Sequence, residues 1–296
     1  MRFGGHETFH LRPGWLAKGL QFVDSGDPRP FTDPSVADDL GLGRNMAKSL
    51  QYWLTATGLV DRPERRLTAL GERLHRRDPF LQHRASWWAI HVELASSPDT
   101  IWRWFWADFA PTRFDRLRCQ DGLKRHLERH DRLPRTARSL QREVAVLLQT
   151  YRRALPGDDG DPEDNLDCPL RHLGLLTLHS DLDQFERQSG RGRVPAELIA
   201  YAVARAHDDD RKSDDEPAGT GGLDVGVTEL LHRPGGPGRL FHLDADALAD
   251  ALADAEARLG DDAVRTRLLG GERTVHLDSA RPLDWLERFY DRAEAQ

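Results

Sequence analysis

From residue 33 to residue 70 the apolar positions change their spacing twice, and each change marks an element. Val36, Ala37 and Leu40 fall on one side of a short helix, begun by Asp33 as a cap and by Pro34, whose missing N–H costs nothing at a first helical position. Gly41-Leu42-Gly43 reads as the turn. Met46, Ala47, Leu50, Trp53 and Leu54 then recur at i, i+1, i+4, i+7 and i+8, one stripe of a second helix from Arg44 to about Ala56. Gly58 stops it. Leu59-Val60 and Leu67-Thr68 read as two short strands around the polar hairpin Asp61-Arg62-Pro63-Glu64-Arg65-Arg66.

This layout predicts a winged helix-turn-helix. The side of the second helix opposite the stripe carries Arg44, Asn45, Lys48, Ser49, Gln51 and Tyr52, with guanidinium and amide groups suited to base edges and hydroxyl and ammonium groups suited to phosphates. Arg62, Arg65 and Arg66 would arm the wing. A winged helix that packs only on protein has the same pattern, so duplex DNA is an expectation and not a deduction.

Downstream, the periodicity is helical as far as residue 153. Thr68 to Leu74 enters a helix, Asp78-Pro79-Phe80-Leu81 restarts the chain, and Trp87, Trp88, Ile90, His91 and Leu94 share one long helix. The aromatics from Trp102 to Phe109 suggest base stacking at first sight, but their aliphatic neighbours favour a core, where His91 too is expected to be hydrogen-bonded. Arg113 to Arg153 should form helices broken at Pro134, apolar inside and basic outside. Residues 155 to 162 read as a linker, followed by Glu163, Asp164, Asp167, Cys168, Arg171 and His172, a group that fits either a site or a helix start. A helix from Val194 to Ala206, a charged loop from His207 to about Gly222, extended pieces at Arg239 to Leu243 and Thr274 to Leu277, and helices at Asp246 to Leu259 and Leu283 to Ala293 complete the reading. The expected fold is mainly α: an N-terminal winged helix-turn-helix with its leading motif (1–75), a basic helical region (76–156) and an acidic, small mixed α/β part (157–296).

Charge sharpens that division. Residues 1–156 hold 26 Lys and Arg against 18 Asp and Glu, and the remainder 16 against 31, which together make the net charge of −7. A basic half around the helix-turn-helix suits phosphate contacts, and an acidic half suits solubility or a protein partner. The chain has 296 residues, 39% hydrophobic and 31% charged, with no apolar stretch long enough for a membrane span and no secretory leader, so a cytoplasmic protein is expected. Its two cysteines, Cys119 and Cys168, lie too far apart in sequence to suggest a disulfide framework or a metal cluster. Cys168 between Asp167 and Pro169 is expected as a buried thiol, because nearby carboxylates oppose thiolate formation.

The N-terminus carries the remaining candidate chemistry. His6-Glu7-Thr8-Phe9-His10 matches the zinc-peptidase pattern, which needs a helical turn to bring two imidazoles onto one metal. Two glycines before it and Pro13 after it argue against a helix of useful length. A better reading keeps His6 and Glu7 as a polar pair near Arg12 and Lys18, usable as general acid and base beside a phosphate or as a foothold for Mg²⁺ or another divalent cation. An N-terminal arm that only braces the winged helix is the alternative.

Phe3-Gly4-Gly5-His6-Glu7-Thr8-Phe9 with Arg12 and Gly14-Trp15-Leu16-Ala17-Lys18-Gly19, the Leu67-Thr68-Ala69-Leu70-Gly71 turn, Asp78-Pro79, the Trp88 to Leu94 segment and Asp167-Cys168-Pro169-Leu170-Arg171 resemble one bacterial family, DUF4007, across nearly the whole chain. The resemblance implies kinship with the DNA-nicking subunits of single-strand DNA phosphorothioation, an anti-phage modification that replaces a non-bridging phosphate oxygen by sulfur. It also implies a cysteine desulfurase, an ATPase and an ATP-pyrophosphatase-like sulfurtransferase as partners. It designates no catalytic residue; His6, Glu7 and Lys18 are assigned to nicking on their own chemistry. A non-catalytic DNA-binding adaptor or regulator that recruits the sulfur machinery is the competing expectation.

Overall fold

Helix α1 (Trp15–Asp24) buries Trp15, Leu16, Gly19 and Leu20, and Gly19 is where the next long helix comes closest. A Cβ there would sit 2.6 Å from Leu54 Cδ1. The computed structural model describes residues 4–62, 64–130, 136–154, 168–211 and 221–295. Pro63, Pro134, the linker at 155–162 and the acids Glu163, Asp164 and Asp167 lie outside them. The backbone divides into two units, Met1–Phe105 with Phe109–Gln188, and Trp106–Asp108 with Ser189–Gln296.

In the first unit α2 (Pro34–Asp39) starts as its sequence dictates: the Asp33 carboxylate accepts from Ser35 N–H at 2.9 Å and Pro34 follows. Gly41, at φ 64°, turns the chain into α3 (Arg44–Ala56). After α3 the two expected strands reduce to one antiparallel bridge, Val60 with Leu67. The turn keeps backbone bonds across it, Asp61 N–H to Arg66 O (2.9 Å) and Thr68 N–H to Leu59 O (3.0 Å), and Arg65, whose backbone is left-handed, braces it further by donating from its guanidinium to the carbonyls of Arg29 (2.8 Å) and Pro28 (2.6 Å). Thr68 then caps α4 (Ala69–Arg77), and α5 (Arg84–Ser96) follows.

α6 (Ile101–Arg103) runs into a wide π-helical turn at Trp104–Asp108. Beyond it come α7 (Arg116–Arg129) and α8 (Ala137–Tyr151), each begun by a side-chain cap, Asp115 and Thr136. Sequence periodicity missed a sheet in this helical region: β1 (Arg113–Phe114), β2 (Arg152–Ala154), β3 (Leu176–His179) and β4 (Gln184–Arg187), in the order β1-β4-β3-β2. Cys168 is buried and precedes a short 3₁₀ turn at Pro169–Leu173. The core is aromatic, as expected: Trp53, Trp88, Trp102 and Tyr151 are enclosed, with Trp53 and Trp102 centred 5.2 Å apart. His91 Nδ1 meets the Tyr151 hydroxyl at 2.8 Å.

The second unit is built on α9 (Ala196–Arg211), which continues five residues past its expected end. β5 (Leu223–Gly226), α10 (Val227–His232), α11 (Pro237–Leu240), α12 (Ala245–Leu259), β6 (Val264–Leu269), β7 (Glu272–Leu277) and α13 (Pro282–Glu294) follow. α12 and α13 pack on α9, and the strands form an antiparallel sheet in the order β5-β7-β6. The segment expected to be extended at Arg239 to Leu243 is the end of α11 and a turn, since Pro237 opens a helix there. Among the described residues no helix is long and apolar enough to cross a membrane.

Candidate functional site

The face of α3 turned away from its apolar stripe is divided in two. Arg44, Asn45 and Lys48 are exposed at its N-terminal end, and Gln51 is half-buried further along. Gly43 precedes them with no side-chain cap, so the first N–H groups of the helix stay open beside the cations. Of the two others expected on this face, Ser49 turns inward and Tyr52 is half-buried with its hydroxyl directed into the core. Ser49 is fully buried. Tyr52 accepts a hydrogen bond from Trp102 Nε1 at 2.9 Å, and burial pushes its phenol well above the usual range. In the hairpin Arg62 and Arg66 are exposed, and Arg65 is the side chain that braces the turn.

The N-terminal motif is a run of turns rather than a helix, with Glu7 and Thr8 at φ 48° and 69°. The zinc-peptidase geometry is therefore not formed. Thr8 N–H donates to His6 Nδ1 at 3.1 Å, which assigns the proton of the neutral ring to Nε2. That nitrogen lies 3.1 Å from Glu143 Oε2, off the line of a straight hydrogen bond. The other Glu143 oxygen takes a short hydrogen bond from Gly4 N–H. His6 is 1% exposed and Glu143 3%. The Tyr52 ring meets His6 edge-on at 5.7 Å and leaves no room for a Cβ at Gly5, which would approach Tyr52 Cδ2 to 2.6 Å. Glycine at position 5 thus lets the motif close over α3, and Trp53 Nε1 fastens it further by donating to Phe9 O at 3.2 Å.

Glu7 remains half-buried beside this cluster. Lys18 is exposed and turns to the end of α2, where its Nζ donates to Leu40 O at 3.1 Å. Arg12 lies over the rings of Phe9 and Trp15 at 5.4 and 5.9 Å. The residue that periodicity overlooked is Glu143. It was detectable: it stands between Leu140 and Leu147 on the inward face of α8, where a carboxylate needs a partner. Among the described residues no three His, Cys, Asp or Glu side chains converge as a metal site.

Residues 3–290 match DUF4007, a protein family of unknown function, and the chain belongs to it. Among solved structures it is similar to a crystal structure of SspB and to one of magnesium ion-bound SspB, each with a TM-score of 0.79 and 26% identity over 99% of this chain and 89% of the other. No curated protein matches it.

Proposed function

We propose that the chain binds duplex DNA and serves as the nicking subunit of a phosphorothioate modification system for anti-phage defence. The observation that carries this reading is the likeness to SspB over nearly the whole chain. The surface of α3 supports it. On this reading α2, α3 and the 60–67 hairpin act as a winged helix-turn-helix, with Arg44, Asn45 and Lys48 entering the major groove and Arg62 and Arg66 holding phosphates. Gln51 reaches the edge of that contact. A cysteine desulfurase, an ATPase and a sulfurtransferase are the proposed partners.

Opening a phosphodiester needs a base for the attacking water and positive charge for the pentacovalent state. Among His6, Glu7 and His10, Glu7 is the one that is not buried, with His6 holding the turn beside it and Lys18 offering a cation on α1. Magnesium bound to SspB makes a divalent ion a natural candidate here too. The described side chains build no cage for it, so no step is routed through it.

A non-catalytic adaptor is the second reading, favoured by the closure of His6 onto Glu143. Relaxation of supercoiled plasmid with added Mg²⁺, with DNA binding measured on the same preparation, separates the two. Nicking that Glu7→Ala abolishes supports the first; binding without nicking supports the adaptor; neither binding nor nicking refutes both.

A further inference from the structure

The loop between α4 and α5 presents Phe80 to solvent on a braced backbone. Asp78, 4% exposed, accepts hydrogen bonds from Gln82 N–H (2.8 Å), His83 N–H (2.9 Å) and the Ser86 hydroxyl. Leu81 N–H donates to Asp78 O at 2.9 Å, and Trp87 Nε1 donates to Leu81 O at 2.9 Å. Between these anchors Leu81 is buried at φ 52°, a left-handed conformation that a bulky side chain adopts only when its surroundings impose it. Phe80 is left 75% exposed.

A lone exposed ring means little on a protein surface. Here the backbone on both sides is fixed, so the mount that carries the ring loses little freedom on meeting a ligand. Its surroundings are cationic. Between residues 73 and 84 four arginines stand against one acid, Asp78, whose carboxylate is turned inward, and Arg76 and Arg84 are exposed on either side of the loop. An aromatic face among cations is the arrangement on which nucleobases stack while their phosphates are held. Position adds to this. α4 begins where the 60–67 hairpin ends, and its nine residues span about 14 Å, well under the roughly 34 Å of one duplex turn. The two ends of α4 thus lie within the length of one duplex turn.

We propose that Phe80 is a stacking site for an unpaired or unstacked nucleobase of DNA held by the α3 surface. The proposal rests on the DNA-binding reading. Aromatic and other apolar side chains that enter a base step need such a rigid mount, because unstacking the step works against them.

The test uses the whole chain, a fully paired duplex, and the same duplex with one unpaired 2-aminopurine. Wild type should prefer the second duplex and quench its fluorescence. Phe80→Ala, whose melting temperature should match wild type because the ring is exposed, should bind that duplex roughly tenfold more weakly, keep its affinity for the paired one and abolish the quenching. Phe80→Trp should restore all three. Equal behaviour of Phe80→Ala and wild type, with wild type binding DNA, overturns the stacking site and leaves the DNA reading standing. If wild type binds neither duplex, both fall.

Discussion

His6 and Arg44 belong to the same unit and to the two stretches that carry the candidate chemistry, yet the fold treats them in opposite ways. Around His6 the polar atoms point at one another: a backbone N–H on Nδ1, a carboxylate facing Nε2, an aromatic edge over the ring. Around Arg44 they point outward from a helix end that has no capping side chain. Enclosed groups contribute to stability through mutual satisfaction, and their removal leaves a buried donor or charge without a partner. Open groups contribute little to the fold and are available to a ligand. The contrast therefore predicts stability effects at one site and binding effects at the other.

The largest effect is expected at Glu143. Glu143→Ala leaves two donors, the buried His6 Nε2–H and Gly4 N–H, without their acceptor and should cost about 3 kcal/mol, read as a lower urea midpoint with unchanged slope. A loss under about 1 kcal/mol would mean that the cluster is open to water in solution, and the distinction between the two sites would collapse.

Gly71→Ala comes next. Thr68 caps α4 by accepting from Gly71 N–H at 3.0 Å, and a Cβ at Gly71 would fall 2.2 Å from Leu59 O, a backbone atom that cannot swing aside. A destabilisation of about 1–3 kcal/mol is expected, with weaker DNA binding because α4 leads directly from the hairpin. Unchanged binding alongside that loss would detach the hairpin from the interface.

How much of this could be read in advance depends on what kind of signal each residue leaves. The Asp33 cap and the apolar stripe of α3 are local, and their spacing alone locates those helices. Ser49 and Tyr52 were misplaced because a 3.6-residue period gives the centre of a buried face but not its width, and α3 is covered on a second side by the motif from residues 4–9 and by Trp102. Glu143 left a legible mark, an acid within an apolar stripe, but its partners lie at the opposite end of the unit's sequence. β1 and β2, at two and three residues, are too short to show any period, and Arg113, Arg152 and Arg153 made them look like helix surface.

That sheet supplies a smaller, pH-dependent effect. The Arg113 guanidinium, at 2.7 Å, and then His179, at 2.9 Å, hold the Glu186 carboxyl below its ordinary value of 4.5 and tie β1 and β3 to β4. A carboxyl with a depressed folded-state pKa adds stability that is present above its unfolded value and is lost as pH falls through the folded one. The melting temperature should thus fall less steeply for Glu186→Gln than for wild type once pH drops below about 4.5. Parallel curves would show that the triad contributes nothing to the sheet.

The smallest stability effect, and the sharpest contrast with Glu143, is expected at the open end of α3. Arg44→Ala and Lys48→Ala remove side chains that are exposed, so each should leave unfolding free energy within about 0.5 kcal/mol of wild type. If each side chain neutralises one phosphate, each substitution should also lower the slope of log affinity against log salt by about 1, equally for every duplex sequence. Asn45→Ala should instead weaken binding to some sequences more than others without changing that slope, because an amide reads base edges and releases no counterion. Ser49→Ala serves as the internal control: its hydroxyl is buried, so DNA binding should not change at any salt concentration. A salt slope unmoved by Arg44→Ala and Lys48→Ala together would shift the phosphate contacts away from α3, to the Arg62 and Arg66 hairpin or to the arginines exposed along α7, where Arg118, Arg125 and Arg129 fall within about 40° of one another around the helix.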